Sequence, residues 1–350
     1  MRVPTAGQGR AGQAAQRPAD NQTMVSSRVV GVLASVVTVA IWTGFIVIGR
    51  ASAALTLLPF DLGLIRIAGA ALVAVPWALW LTRRQGPAHA SRSLAGLSPL
   101  PLRQTLITGA VGGLVYAGLC YAGFFFAPAA HASVLLPGSQ PLWAALLAIV
   151  LLGEALTRQR AMGLALILAG VALVGGTSLL AAFGGGEVWK GDAFFLVAGA
   201  CWAGYGVLTR RFALDPVHST IAITVVGLLS YVPLFVALTA SGLLSTHLLL
   251  APWTEIALQL FYQGICVVIV AGITFVTMVR AFGPVRAAMI TSLVPGLSAL
   301  GAALLLGEPL GASLLAGLAL VTLGILLGVW PLRTQAAGAA LGVAPGPAAK

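Results

Sequence analysis

The 350-residue chain is 59% hydrophobic and 8% charged, with 43 glycines, a balance too apolar for a water-soluble domain and suited to a bilayer. Its net charge of +11 would fit nucleic acid only if the basic residues formed a patch; they lie scattered between apolar runs, which excludes that partner. Cys120, Cys201 and Cys266 form no CxxC pair, and four histidines without a cluster leave no metal site, no cofactor site and no disulfide framework.

Residues 1–28 mix Gly, Ala, Gln, Arg and Pro without periodicity and read as a disordered cytoplasmic tail. No A-x-A site follows a short apolar run, so the first apolar segment reads as a retained helix. Ten segments follow: 29–49, 60–82, 105–127, 131–152, 159–180, 191–209, 219–241, 254–279, 284–306 and 313–332. Each is near the ~20 residues that cross a bilayer, and none alternates with the period of a membrane strand. The predicted fold is an all-α polytopic membrane protein of ten transmembrane helices. Residues 334–350 are a second cytoplasmic tail.

Helix 1 carries Trp42-Thr-Gly44 and Arg50, and helix 6 repeats them 160 residues on as Trp202-Ala-Gly204 and Arg210. In helix 2, Arg66 is the one basic residue well inside a span, about 9 Å below Phe60 at 1.5 Å per residue. An intramembrane charge faces the pathway or snorkels out, with Asp61 and Glu308 as candidate partners. The basic loop 83–104 reads as a flexible link. Helix 4 holds Pro137, Gln140 and Pro141 and ends at Gly153-Glu154; helix 9 holds Pro295 and ends at Gly307-Glu308. Each proline leaves the carbonyl four residues earlier without its donor, and at membrane depth such carbonyls must meet protein, water or ligand. Glu154 and Glu308 are helix-end turn residues or gate groups; Arg158 and Arg160 lie within reach of Glu154, and Thr157 is placed to cap helix 5. His131, at the start of helix 4, reads as a surface histidine.

Helices 4 and 5 therefore recur as helices 9 and 10. Pro141, Gly153, Glu154, Leu156, Gly163 and Gly170 match Pro295, Gly307, Glu308, Leu310, Gly317 and Gly324 at a constant offset of 154. Two units, 29–180 and 191–333, contain five helices each. An odd number inverts the second unit in the membrane, a recurring plan for transporters with a midplane site. The glycine faces of helices 5 and 10 either pack together or form a homodimer surface.

With the N-terminus inside, Arg2, Arg10, Arg17, Arg28, Arg83, Arg84, Arg92, Arg103, Arg158, Arg160, Arg210, Arg211, Arg280, Arg286, Arg333 and Lys350 all face the cytoplasm, 16 of the 19 basic residues. Only Arg50 and Lys190 fall outside, so the positive-inside rule sets both termini in the cytoplasm.

The strings LLPGSQPLWAALLAIVLLGEALTRQRAMGLALILAGVALVGG and SLVPGLSALGAALLLGEPLGASLLAGLALVTLGILLGV resemble the two EamA repeats of the drug/metabolite transporter superfamily. AIWTGFIVIGR, ACWAGYGVLTR and the arginine of LIRIAGAAL resemble other parts of the same repeats. The resemblance covers about 29–332 and implies ten helices, an inner-membrane location and export of amino acids, other metabolites or drugs. Intramembrane enzyme and membrane scaffold are the competing readings. The histidine count and the missing GxxxxGK[ST] loop argue against catalysis, and a scaffold gives no reason for paired inverted units. The site is expected near the midplane between helices 1, 4, 6 and 9, bounded by Trp42, Gln140, Pro141, Trp202 and Pro295, with Arg66 on the pathway. Its tryptophan faces suit an apolar or cationic solute.

Overall fold

The computed structural model describes residues 17–52, 55–86, 93–127, 129–182, 185–291, 293–307 and 312–329. These residues form helices and connecting turns, with no strand among them. Joining interrupted helices gives α1 (Arg17–Ser52), α2 (Pro59–Gln85), α3 (102–126), α4 (Ala129–Leu152) and α5 (Arg158–Ala182). The second set is α6 (Val188–Arg211), α7 (Pro216–Ala240), α8 (Trp253–Phe282), α9 (Pro284–Thr291 with Val294–Leu306) and α10 (Ala312–Val329). Seven of these, α1, α2, α4, α6, α7, α8 and α9, are long and apolar enough among the described residues to cross a membrane.

Three local features differ from expectation. α1 starts at Arg17, so residues 17–28 continue the helix, with Pro18 in the first turn where its missing N–H costs nothing. Residues 93–101, expected to be a flexible link, are packed. Leu100 is buried against Leu214 and Ala222, and the Ser98 and Thr105 hydroxyls share a 2.6 Å hydrogen bond. α4 runs unbroken through Pro137 and Pro141, whereas α9 stops at Thr291 and resumes at Val294. Pro141 thus sits inside a continuous helix, whereas its counterpart Pro295 sits in the first turn of a resumed one.

The two halves interlock. α1 packs on α8 and α9, and its counterpart α6 packs on α3 and α4. α2 packs on α8 as α7 packs on α3. α5 and α10 lie against each other through their glycine faces: a Cβ on Gly170 would stand 2.6 Å from the Gly317 carbonyl oxygen, and one on Gly324 2.5 Å from that of Gly163. The offset of 154 turns the first contact into the second. An approximate twofold relation between the halves produces this reciprocity, and it places the glycine faces inside one chain. A homodimer through helices 5 and 10 would need their other faces.

Two polar networks tie the connections between helices. In the first, Arg210 Nη1 donates to the Arg280 carbonyl (3.2 Å), and Arg280 Nη1 lies 3.7 Å from Asp215 Oδ2. Asp215 also caps α7, accepting from the N–H groups of Val217 and His218. The Arg84 guanidinium sits 3.9 Å over the exposed Trp80 ring at the end of α2, as an interfacial anchor would. The second network centres on Asp61 and Glu255. Asp61, fully buried, accepts from Leu58 N, Thr246 Oγ1 and His247 N at 3.0, 2.5 and 2.9 Å. Glu255 accepts from the N–H groups of Thr56 and Leu57, while His247 Nδ1 donates to the Thr56 carbonyl. These bonds tie the α1–α2 connection to the α7–α8 connection.

Candidate functional site

Trp42 and Trp202, repeat counterparts 160 residues apart, meet ring to ring. Their centroids are 5.5 Å apart in an edge-on arrangement. Phe275 of α8 stacks on Trp42 at 5.5 Å, and Tyr116 of α3 lies 4.9 Å from Trp202. Tyr205, one turn along α6, completes the cluster at 5.3 Å from Trp202. Centroid separations of this size are those of attractive aromatic pairs, each contributing about 0.5–1.5 kcal/mol beyond area burial. The cluster thus joins α1 and α8 to α3 and α6, one helix pair from each side of the repeat relation.

Beside it lies a cavity of about 50 Å³, walled by α2 (Gly63, Arg66, Ile67, Ala70), α3 (112–117), Trp202 of α6, α7 (Ile223, Thr224, Gly227, Tyr231) and α8 (Val267, Val268, Gly272). One water needs about 10–15 Å³ by this measure, so the space holds about three to five waters. Any larger occupant requires the wall to move.

Two parts of that wall share an unusual backbone. Ala110–Val115 in α3 and Leu260–Val270 in α8, counterparts in the repeat, are π-helical. Gly112, Gly113 and Leu114 come from the first stretch, and Val267 and Val268 from the second. π-Helical stretches are rare and concentrate at functional positions. They also set the local packing: a Cβ on Gly112 would lie 2.6 Å from the Tyr205 ring, and Gly264 touches the backbone of Gly69 in α2.

Arg66 is half-buried on the cavity wall, its guanidinium carbon 5.7 Å from the centre of the Phe45 ring. The partner expected from sequence, Asp61, is committed to Leu58, Thr246 and His247. Glu308 lies outside the described residues. Arg66 forms no ion pair among the described residues.

The remaining sequence-predicted positions fall elsewhere. Gln140 is buried in α4, and its Oε1 accepts from Thr291 Oγ1 at 3.3 Å, across to the end of the first part of α9. Pro141 follows it and is buried; Pro295 is buried just beyond the interruption in α9, where Ser298 Oγ donates to its carbonyl. These three mark an α4–α9 contact and do not line the cavity. Glu154 follows Gly153, whose φ of +68° is the left-handed turn expected there. Its carboxylate lies 3.8 Å from Arg160, both partly exposed, and Thr157 Oγ1 accepts from Arg160 N to cap α5. His131 is not a free surface group: Nδ1 is 2.9 Å from Oδ1 of the buried Asp192, joining α4 to α6.

Sequence reasoning missed Phe45, Tyr231, Phe275 and both π stretches. Three are aromatic residues within uniformly apolar helices, which no local pattern distinguishes. The glycine pairs Gly109/Gly113 and Gly69/Gly264 were the available signal for close helix approach.

Comparison with known proteins agrees with this architecture. A family model described as the EamA-like transporter family matches residues 29–176 and again 189–330. "Uncharacterized transporter YyaM" of Bacillus subtilis (strain 168) is 23% identical over 223 residues, spanning 63% of this chain and 71% of that protein. A solved crystal structure superposes with a TM-score of 0.58 at 21% identity, covering 85% of this chain and 96% of that one, a likeness of fold. With both halves matched by the same model, this chain is a polytopic membrane protein of the EamA-like transporter family.

Proposed function

We propose that the protein exports small organic solutes such as metabolites, amino acids or drug-like compounds across the inner membrane by alternating access, with ten spans and both termini in the cytoplasm. The observation that carries this reading is the reciprocal interlocking of two five-helix units around one cavity that both units wall. Two near-equivalent halves can exchange conformations, so each end of the cavity opens in turn while the site stays in place. In this reading Trp42, Arg66 and Trp202 stand at the site. Gln140, Pro141 and Pro295 lie on the moving α4–α9 contact, and Glu154 and Glu308 end the helices that flank it. No chemical step is required, so the protein acts without a cofactor on a small-molecule substrate in a lipid bilayer, with no nucleic-acid partner.

The test compares solutes excreted by cells with and without the protein, then measures efflux of each enriched solute from proteoliposomes. At least one solute is expected to be enriched outside and to cross faster with the protein present. Identical excretion profiles and unaccelerated flux of the candidate solutes would refute the reading. Orientation is tested by impermeant labelling of a single cysteine at Ser91 in a cysteine-free background, with labelling expected only after the membrane is opened.

A further inference from the structure

The charge and hydrogen-bond inventory of the cavity wall points to one ligand class. Arg66 brings a permanent cation to it. Asp61 is engaged in the α2 cap, Glu154 with Arg160, Glu187 with Lys190, Asp192 with His131, Asp215 with Arg280, and Glu255 with the Thr56 and Leu57 N–H groups, and none of these six lines the cavity. Trp202, 7% exposed, lines the same cavity and holds its indole N–H buried with no acceptor among the described residues. Thr224 donates its hydroxyl proton to the Thr220 carbonyl, and Tyr231 donates its own to that of Phe60. The wall therefore offers the Arg66 guanidinium and the Trp202 N–H as donors, the Thr224 and Tyr231 hydroxyls having their protons engaged, and no described carboxylate. The rest is apolar, with Ile67, Leu114, Ile223 and Val267 around the Trp202 and Tyr116 rings.

We propose that this cavity takes an organic monoanion: a carboxylate on a flat apolar body. Arg66 holds the carboxylate through its paired N–H groups, the Trp202 N–H supplies a further donor, and the body lies among the apolar residues. This rests on the transport reading for its biological use. Of the apolar or cationic solute expected from sequence, it keeps the apolar body and sets aside the cation, which here would face Arg66. A zwitterion gains the carboxylate contact but finds no described acid for its ammonium group. The present volume is smaller than such a solute, so binding proceeds in a widened state of the same wall.

The test is calorimetric titration of the purified full-length chain with phenylacetate, phenylalanine, phenethylamine, phenyl phosphate and 2-phenylethanol. Phenylacetate is expected to bind most tightly and phenethylamine not to saturate. Arg66→Gln is expected to weaken phenylacetate by about 10–100-fold, the range for losing a charge-assisted hydrogen bond, and to leave 2-phenylethanol unchanged. Arg66→Lys is expected to restore part of the loss, because an ammonium lacks the planar fork. Four results would overturn the assignment: no saturable phenylacetate binding at millimolar concentration, phenethylamine or phenylalanine binding more tightly than phenylacetate, phenyl phosphate binding more tightly through Arg66, or unchanged phenylacetate affinity in Arg66→Gln. Flux assays in proteoliposomes separate the two readings. Arg66-dependent binding without flux removes the transport reading and leaves the ligand assignment standing.

Discussion

Gly69→Ala tests the α2–α8 crossing that positions Arg66. A Cβ added to Gly69 would lie 2.4 Å from the Leu260 carbonyl oxygen and 3.1 Å from the Gly264 Cα, both backbone atoms that cannot rotate away. Ordinary contact begins at 3.4 Å, so the helices must separate by 3.4 − 2.4 = 1.0 Å. Overpacking on this scale costs about 1–3 kcal/mol. Replacing glycine by alanine in a helix returns up to about 1 kcal/mol of propensity. The net expectation is a loss of about 1–2 kcal/mol, read as a lower melting midpoint for the detergent-purified protein. Gly204→Ala is the matched control: its Cβ would meet nothing nearer than 3.5 Å, so the propensity term alone remains and the midpoint should hold or rise. Gly264→Ala, whose Cβ would stand 2.5 Å from the Gly69 Cα, is relieved by the same separation. The double variant should therefore lose less than the two singles combined. A midpoint for Gly69→Ala at or above wild type, or a drop for Gly204→Ala, would refute the reasoning.

Asp61→Ala leaves the Thr246 hydroxyl and the Leu58 and His247 N–H groups without their acceptor. It is expected to destabilise the chain by about 2–4 kcal/mol and to expose residues 244–252 to limited proteolysis, with an unchanged cleavage pattern counting against the network. Trp202→Phe keeps most of the ring packing but removes the N–H, so the melting midpoint should change little while phenylacetate affinity falls; equal affinity would show the donor to be unused. Glu154→Gln breaks only a partly exposed pair at 3.8 Å, and its stability should stay within about 1 kcal/mol of wild type by thermal melt.

Much of the architecture was legible before any coordinates. Apolar run lengths located the helices, because a bilayer demands about 20 residues whatever their identity. The Gly163/Gly170 and Gly317/Gly324 spacings marked faces for close helix approach, because only a missing side chain admits a backbone that close, but left open whether α5 and α10 met each other or a second chain. Depth along a helix could also be counted: Trp42 and Trp202 were predicted at similar depth, and they touch. Direction around the axis could not. Helices apolar on every side carry no 3.6-residue stripe to point inward, so the cavity lies between α2, α3, α6, α7 and α8, while the sequence placed it between helices 1, 4, 6 and 9. The π stretches were invisible for a related reason: one extra residue in a helical turn changes register without changing composition. Asp61 was misassigned because its partners Thr246 and His247 arrive from a connection 185 residues away.

The glycine contact between α5 and α10 is isologous in the sense used for symmetric dimers: one patch meets its own copy, and each side supplies what the other does. Both copies happen to reside in one polypeptide. A chain ending after residue 182 would therefore carry a self-complementary surface with nothing to cover it. Its counterpart would be a second identical chain inserted in the opposite orientation, a dual-topology pair. With the ten-span topology proposed above, the fused protein would obtain both orientations in a single synthesis, in fixed one-to-one stoichiometry. It is also free to let the two copies diverge, as Arg66 and the interrupted α9 already do.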